Sequence, residues 1–356
     1  MHIAKLSKTT NTRSATGTVI RSPLIIPTRM KAIVLTLLAT VTIAVKAQET
    51  PALKLTKTIP LPGVTGRFDH MAVDAKGKRL FVAALGNNTL EVVDVAASKH
   101  LESITGLRKP TGVLYLPDAN QIAVANGDDG TLKIFDGATY KLVRSIGSFD
   151  DADNIRYDAT AGLIYLGYGS GALAIIDSKK LERVGEIKLK GHPESFQLEK
   201  NGDRIFVNVP DRKEVAVIDR KKREVVGEWH AEKFEANFPM ALDEANHRVL
   251  IGCRKPVPWI FILNSTNGGF VKVHGIAGDT DDLFYDAKRH RLYASCGEGF
   301  VVVVSQKDAD TYEDRGRIAT RAGARTSCFS PELDQIYLAV PKRGNLDAEL
   351  RVYRPE

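Results

Sequence analysis

Eight polar residues scattered over two hundred positions share one chemistry. Asp69, His70, Asp153, Asn154, Glu194, Asn237, Asp281 and Asp282 fall at or beside matching points of a recurring unit. Seven are oxygen donors and one is an imidazole. Hard cations such as Ca²⁺ take about six to eight oxygen ligands. Crowded carboxylates repel one another unless a cation or a shared proton relieves them. A Ca²⁺-like divalent cation on Asn154, Glu194, Asn237 and Asp282 would be one solution. His70, with Asp69, Asp153 or Asp282 beside it, could be tuned as a general base. A plainer role stands next to these: polar groups at strand ends also cap backbone N–H groups and hold ordered water. Arg325, at the equivalent point of the last copy, joins Tyr168, Arg254 and Lys342 from nearby loops as groups that could recognise an anionic or peptide ligand.

These residues need a frame that brings seven segments to one place, and the repeat supplies it. The cores RLFVA (79–83), QIAVA (121–125), LIYLG (163–167), RIFVN (204–208), RVLIG (248–252), RLYAS (291–295) and QIYLA (335–339) lie 42, 42, 41, 44, 43 and 44 residues apart. In the first copy, short apolar runs Phe68–Val73, Leu80–Ala84, Leu90–Asp94 and His100–Ile104 alternate with turn signals such as Gly77 and Gly86-Asn87-Asn88. Four such strands per unit, with no helical period, predict antiparallel sheets. Seven of them predict an all-β, seven-bladed β-propeller of four-stranded antiparallel blades. The last copy stops at LRVYRP (350–355) without a fourth strand. Ala52–Leu61 precedes the first copy and has no other place, so the fold is expected to close with this N-terminal strand joining the last blade. The first strand of each blade lines the central channel, and its opening residues sit at one mouth. There the ring positions are Asp69, Thr111, Asp153, Glu194, Phe238, Asp281 and Arg325. The repeated Asp94, Asp136, Asp177 and Asp219 are read as turn-makers.

The pattern D-x-x-x-x-R-L-[FY]-V followed by V-x-V-[IV]-D, with the opening GRFDHMAVD (66–74), resembles the YVTN-type, YncE-like β-propeller repeat proteins over about residues 50–356. The resemblance implies a propeller fold, with the blade opening also typical of exported members. Propellers host many activities, so the function must come from the site. The expectation is a binding or scaffolding module with its ligand, a protein, peptide or small molecule, at the acidic channel mouth and adjacent loops. One alternative is a metal-dependent hydrolase of lactonase type at that mouth, by analogy with gluconolactonase-type propellers in residue types alone. Another is a partner subunit of a periplasmic redox enzyme. GxSxG, P-loop, HExxH and dinucleotide motifs are absent from the sequence.

Composition misleads until the leader is set aside. Residues 1–29 read as an upstream extension or a mis-assigned start. Residues 30–47 read as a signal peptide: Met30-Lys31, the apolar run Ala32–Val45, then small residues at Val45 and Ala47. Residues 1–47 hold seven of the 50 Lys and Arg and none of the 43 Asp and Glu, so residues 48–356 balance. The basic pI therefore gives no reason to expect nucleic acid. Fourteen apolar residues are too few to span a bilayer. A monomeric periplasmic or secreted propeller over 48–356 is expected. Cys253, Cys296 and Cys328 are expected as buried free thiols, with a Cys296–Cys328 bridge as the alternative.

Overall fold

The computed structural model describes residues 51–356. The readings of 1–29 and 30–47 as extension and leader lie outside the described residues. Seven four-stranded antiparallel sheets make up the described chain. The first blade runs Met71–Asp74, Arg79–Ala84, Thr89–Asp94 and Lys99–Ile104. Its first strand starts three residues later than the sequence suggests. The innermost strands of blades two to seven are Pro110–Leu116, Ile155–Asp158, Phe196–Leu198, Glu235–Asp243, Thr280–Asp286 and Ser327–Ser330. The ring closes as expected: Leu53–Leu61 pairs antiparallel with Ala348–Pro355, with Ile59 opposite Leu350 and Leu61 opposite Ala348.

Strand alternation explains the core. In the second strand of blade one, Leu80 and Val82 pack toward the last blade, while Phe81 and Ala83 pack toward blade two. Both faces of the sheet are covered, so the strand is apolar at every position rather than at alternate ones. The same rule places Ile164 and Leu166 against blade two and Tyr165 against blade four. The core is thus seven interfaces between neighbouring blades.

Two polar devices repeat on the frame. The Asp residues that end third strands accept backbone N–H groups two to three residues ahead: Asp136 from Thr139 (2.7 Å), Asp177 from Lys180 (2.8 Å), Asp219 from Lys222 (3.0 Å) and Asp94 from Ala97 (2.7 Å). They are the turn-makers that the sequence suggests. The arginine that opens second strands reaches to the next blade. Arg79 donates to the Gly137 carbonyl, Arg204 to Ser265, Arg248 to Ala309 and Arg291 to the carbonyl of Glu356. The R of the repeated R-L-[FY]-V is therefore an inter-blade clamp. Cys253, Cys296 and Cys328 are free thiols, the first two buried.

Candidate functional site

The opening residues of the channel strands converge on one cavity of about 280 Å³. Asp69, Asp153, Glu194, Asp281, Phe238, Thr111 and Arg325, the seven ring positions, all line it. Backbone packing fixes them. A Cβ on Gly112 would sit 2.1 Å from the Asp153 carbonyl, so only glycine lets the second blade approach that close. Thr111 donates its hydroxyl to the Ala152 carbonyl at 2.7 Å, tying blade two to blade three beside Asp153.

The mouth expected to be acidic carries both signs. Arg67, Lys109, Arg254 and Arg325 line the same cavity as the carboxylates. Arg67 pairs with Asp69 at 3.4 Å, and Lys109 with Asp151 at 3.1 Å. Arg325 holds Asp279 at 2.8 Å and Asp281 at 3.0 Å. Arg254 also grips Asp281, donates to the Thr280 carbonyl at 2.7 Å, and stacks on Phe238 with 4.3 Å to the ring centre. Such a guanidinium is held rigidly from three sides.

Two imidazoles complete the mouth. His70 Nε2 lies 3.9 Å from both Asp69 and Asp153, and its Nδ1 lies 3.6 Å from Asp282. Burial disfavours its charge, but the hydrogen bond with Asp282 and the carboxylates of Asp69 and Asp153 win and push it up to about 10. His70 is therefore an imidazolium at neutral pH, not the ready base its position suggests. His192 is raised to about 9, chiefly by Asp153. Burial pushes the Glu194 carboxyl up to about 8 and that of Asp69 to about 7, with the Asp153 charge adding to both. Asp153 goes the other way: burial opposes its charge, but its bond to His192 and the His70 charge hold it below the ordinary range.

Below the mouth a second space of about 230 Å³ is lined by His70, Arg156, Gln197, Asp282, Ser327 and Cys328 among others. Asp282 belongs here, where it accepts the Ser327 N–H at 2.7 Å. Arg156 donates to its neighbour's carbonyl at 2.8 Å and stacks on Phe196, with no carboxylate in ion-pair contact among the described residues.

The structure brings Asp69, His70, Asp153, Asn154, Glu194, Asp281, Arg254 and Arg325 together at the mouth. It does not bring Asn237 there. Asn237 is fully buried and donates to Asn208 (3.3 Å) and to the Glu214 carbonyl (3.1 Å). It stands one residue before Phe238, which lines the cavity, and successive side chains of a strand point to opposite faces, so Asn237 turns into the blade. The four oxygen donors Asn154, Glu194, Asn237 and Asp282 therefore do not meet around one point. Tyr168 bonds Glu186 at 2.7 Å and packs edge-on to Phe149, outside the lining of the cavity. Lys342 pairs with Asp347 at 3.6 Å in an outer loop.

Sequence reasoning missed His192, Arg67, Lys109 and Asp151. The signal was available. Each lies two residues before a ring position, in the connection that leads into a channel strand; Lys109 and Asp151 take left-handed φ values of 52° and 46° there, so the constant spacing and not strand alternation marks them. His192 stands two before Glu194, as Arg67 does before Asp69.

Fold and site together define a seven-bladed β-propeller with a charged channel mouth. No protein-family model matches the chain. Two solved structures are similar in fold. One, from the crystal structure of the Mitotic Checkpoint Complex, is 13% identical with a TM-score of 0.72, over 92% of this chain and 99% of that one. The other, from Kuenenia stuttgartiensis hydrazine synthase, is 16% identical with a TM-score of 0.66, over 78% of this chain and 95% of that one.

Proposed function

We propose that the chain is an exported binding propeller of the YVTN type that seats a small polar molecule, carrying a carboxylate or phosphate group, at its channel mouth. The observation that carries this is Arg254: a guanidinium fixed by Phe238, Thr280 and Asp281 on the wall of a 280 Å³ cavity, with Arg325 beside it. Preorganised donors bind with less ordering cost than flexible ones. Arg67 and Lys109 add further positive charge, partly exposed, at the same opening, which draws anions toward it. Export to the periplasm or medium is supported by the apolar run Ala32–Val45 and the small residues after it. The lactonase-type alternative draws no support from its oxygen set, which the fold separates. The scaffolding role has the fold alone behind it, since the checkpoint-complex propeller is similar in architecture and not in sequence.

A thermal-shift series with inorganic phosphate, monocarboxylates, dicarboxylates and sugar acids tests the assignment. A ligand at ~100-fold its Kd stabilises by about 2.7 kcal/mol. The expected result is a rise for at least one anion that disappears in Arg254→Ala and survives in Lys342→Ala. A rise that Arg254→Ala leaves intact, or none across the series, contradicts it.

A further inference from the structure

The mouth carboxylates divide by partner. Asp69, Asp151, Asp279 and Asp281 each have an arginine or lysine. Among the described residues Asp153 and Glu194 have none within ion-pair distance: the cationic groups that come within 4 Å of Asp153 are the imidazoles of His70 and His192, with Lys109 and Arg156 acting on it from farther away. The Glu194 carboxylate makes no hydrogen bond at all among these residues. One oxygen each of Asp153 and Glu194 and one ring nitrogen of His192 lie within 4.8 Å of one another. Donors about 2.1 Å from a tetrahedral zinc ion stand about 3.4 Å apart, so the three side chains would close by about an ångström to complete a site.

Two further observations point to a ligand there. His192 Nδ1 lies 2.7 Å from the Gly169 carbonyl. A carbonyl only accepts, so Nδ1 carries a proton, and the free lone pair of the neutral ring is on Nε2, 3.9 Å from Asp153. Metal-bound histidines are oriented in this way, by an acceptor on the far nitrogen. Asn154 is 1% exposed and lines the same cavity, and its Oδ1 has no hydrogen-bond partner. A buried amide oxygen without a donor is costly, and a cation or its bound water would satisfy it.

We propose that Asp153, His192 and Glu194 bind one divalent transition-metal ion, with its open positions facing the channel-mouth cavity. One imidazole with carboxylates suits Zn²⁺, Co²⁺ or Mn²⁺ better than Ca²⁺. The inference deepens the channel-mouth function and rests on it: the ion would line the same cavity as Arg254 and Arg325, and the two would share one anionic ligand. A second group, Glu214, Glu228 and His230, also clusters within 4.8 Å on blade four, but Lys190 already occupies Glu228 at 2.7 Å. It serves as the internal control.

EDTA-stripped full-length protein is titrated with Zn²⁺ alone by calorimetry and with Co²⁺ by visible absorption. The expected result is one ion per chain, weakened about tenfold or more in both His192→Ala and Glu194→Gln, and unchanged in His230→Ala. Glu194→Gln keeps the side-chain volume and decides alone should His192→Ala fail to fold. Absence of saturable binding overturns the proposal, as does binding lost in His230→Ala and kept in the mouth variants. The anion series is run in EDTA, so a silent metal titration leaves that experiment to stand or fall by itself.

Discussion

The two sides of the channel mouth solve one problem in different ways. On the side of blades five to seven, Asp281 lies between Arg254 and Arg325, and Asp279 shares Arg325. Both of these carboxylates have a permanent cation, whereas Asp282, deeper in the channel, has only the His70 imidazole within ion-pair distance. On the side of blades three and four, Asp153 and Glu194 have no arginine or lysine within ion-pair distance, and the nearest cationic partners are imidazoles, whose charge can be withdrawn. Fixed pairs make a rigid wall with a constant charge. Carboxylates matched by removable protons make a place where another cation can enter. The same ring of a repeated fold thus holds a half with fixed ion pairs and a half whose carboxylates lack them.

Removing one carboxylate from each half should break the comparison most sharply. Asp281→Ala leaves two half-buried guanidinium groups without their shared partner and is expected to cost about 3 kcal/mol in urea unfolding. Glu194→Gln orphans no cation and is expected to change stability by less than about 0.5 kcal/mol. Equal losses would show that the halves do not differ.

Next in size is a titration shift. Asp153→Asn removes the main support of the His192 charge. Its pKa, followed by NMR, is expected to fall from about 9 toward the ordinary 6.5. His70, raised to about 10 with Asp282 as the leading source of support, is expected to fall less. A His192 value that stays near 9 would place its support elsewhere.

The pH dependence of stability follows with a definite sign. His70 has a folded value near 10 against 6.5 unfolded, so its contribution is complete below pH 6.5 and is lost as pH rises through 10. Glu194, raised from 4.5 to about 8, adds the same slope, because the folded state holds a proton that the unfolded chain has released. The thermal midpoint should therefore decline between pH 6.5 and 10, and less steeply in His70→Gln. A midpoint that climbs over that range contradicts the assignment. The smallest expected effect is at the rim, where Lys342→Ala should alter stability by less than about 0.5 kcal/mol, since its partner Asp347 is exposed.

Most of the fold was legible because the constraint that shapes it repeats. RLFVA and its six counterparts are buried on both faces, so sequence drift cannot erase their apolar run. The unpaired last copy, ending at LRVYRP, announced the closing strand Leu53–Leu61. The aspartates at third-strand ends were legible for a local reason, since an Asx turn involves only neighbours in the chain. The inter-blade clamps were not legible. The bond from Arg79 to Gly137 spans 58 residues and depends on how adjacent sheets stack.

The site was legible as a ring and not as a chemistry. Aligning the copies found Asp69, Asp153, Glu194 and Asp281, which the structure gathers at the mouth. Asn237 joins the ring only by adjacency to Phe238, and strand alternation turns neighbouring side chains to opposite faces, so it points inward. His192 is less legible because it lies in the irregular connection before the strand, where the repeat pattern is weakest.

Anomalous diffraction at the zinc edge from crystals of EDTA-stripped protein soaked in Zn²⁺ tests the division of the mouth most directly. The account predicts one strong peak bonded to His192 Nε2 and to the carboxylates of Asp153 and Glu194, with the Arg254–Asp281–Arg325 wall unmoved. Crystals with an empty mouth, or with zinc only at His230, would contradict it.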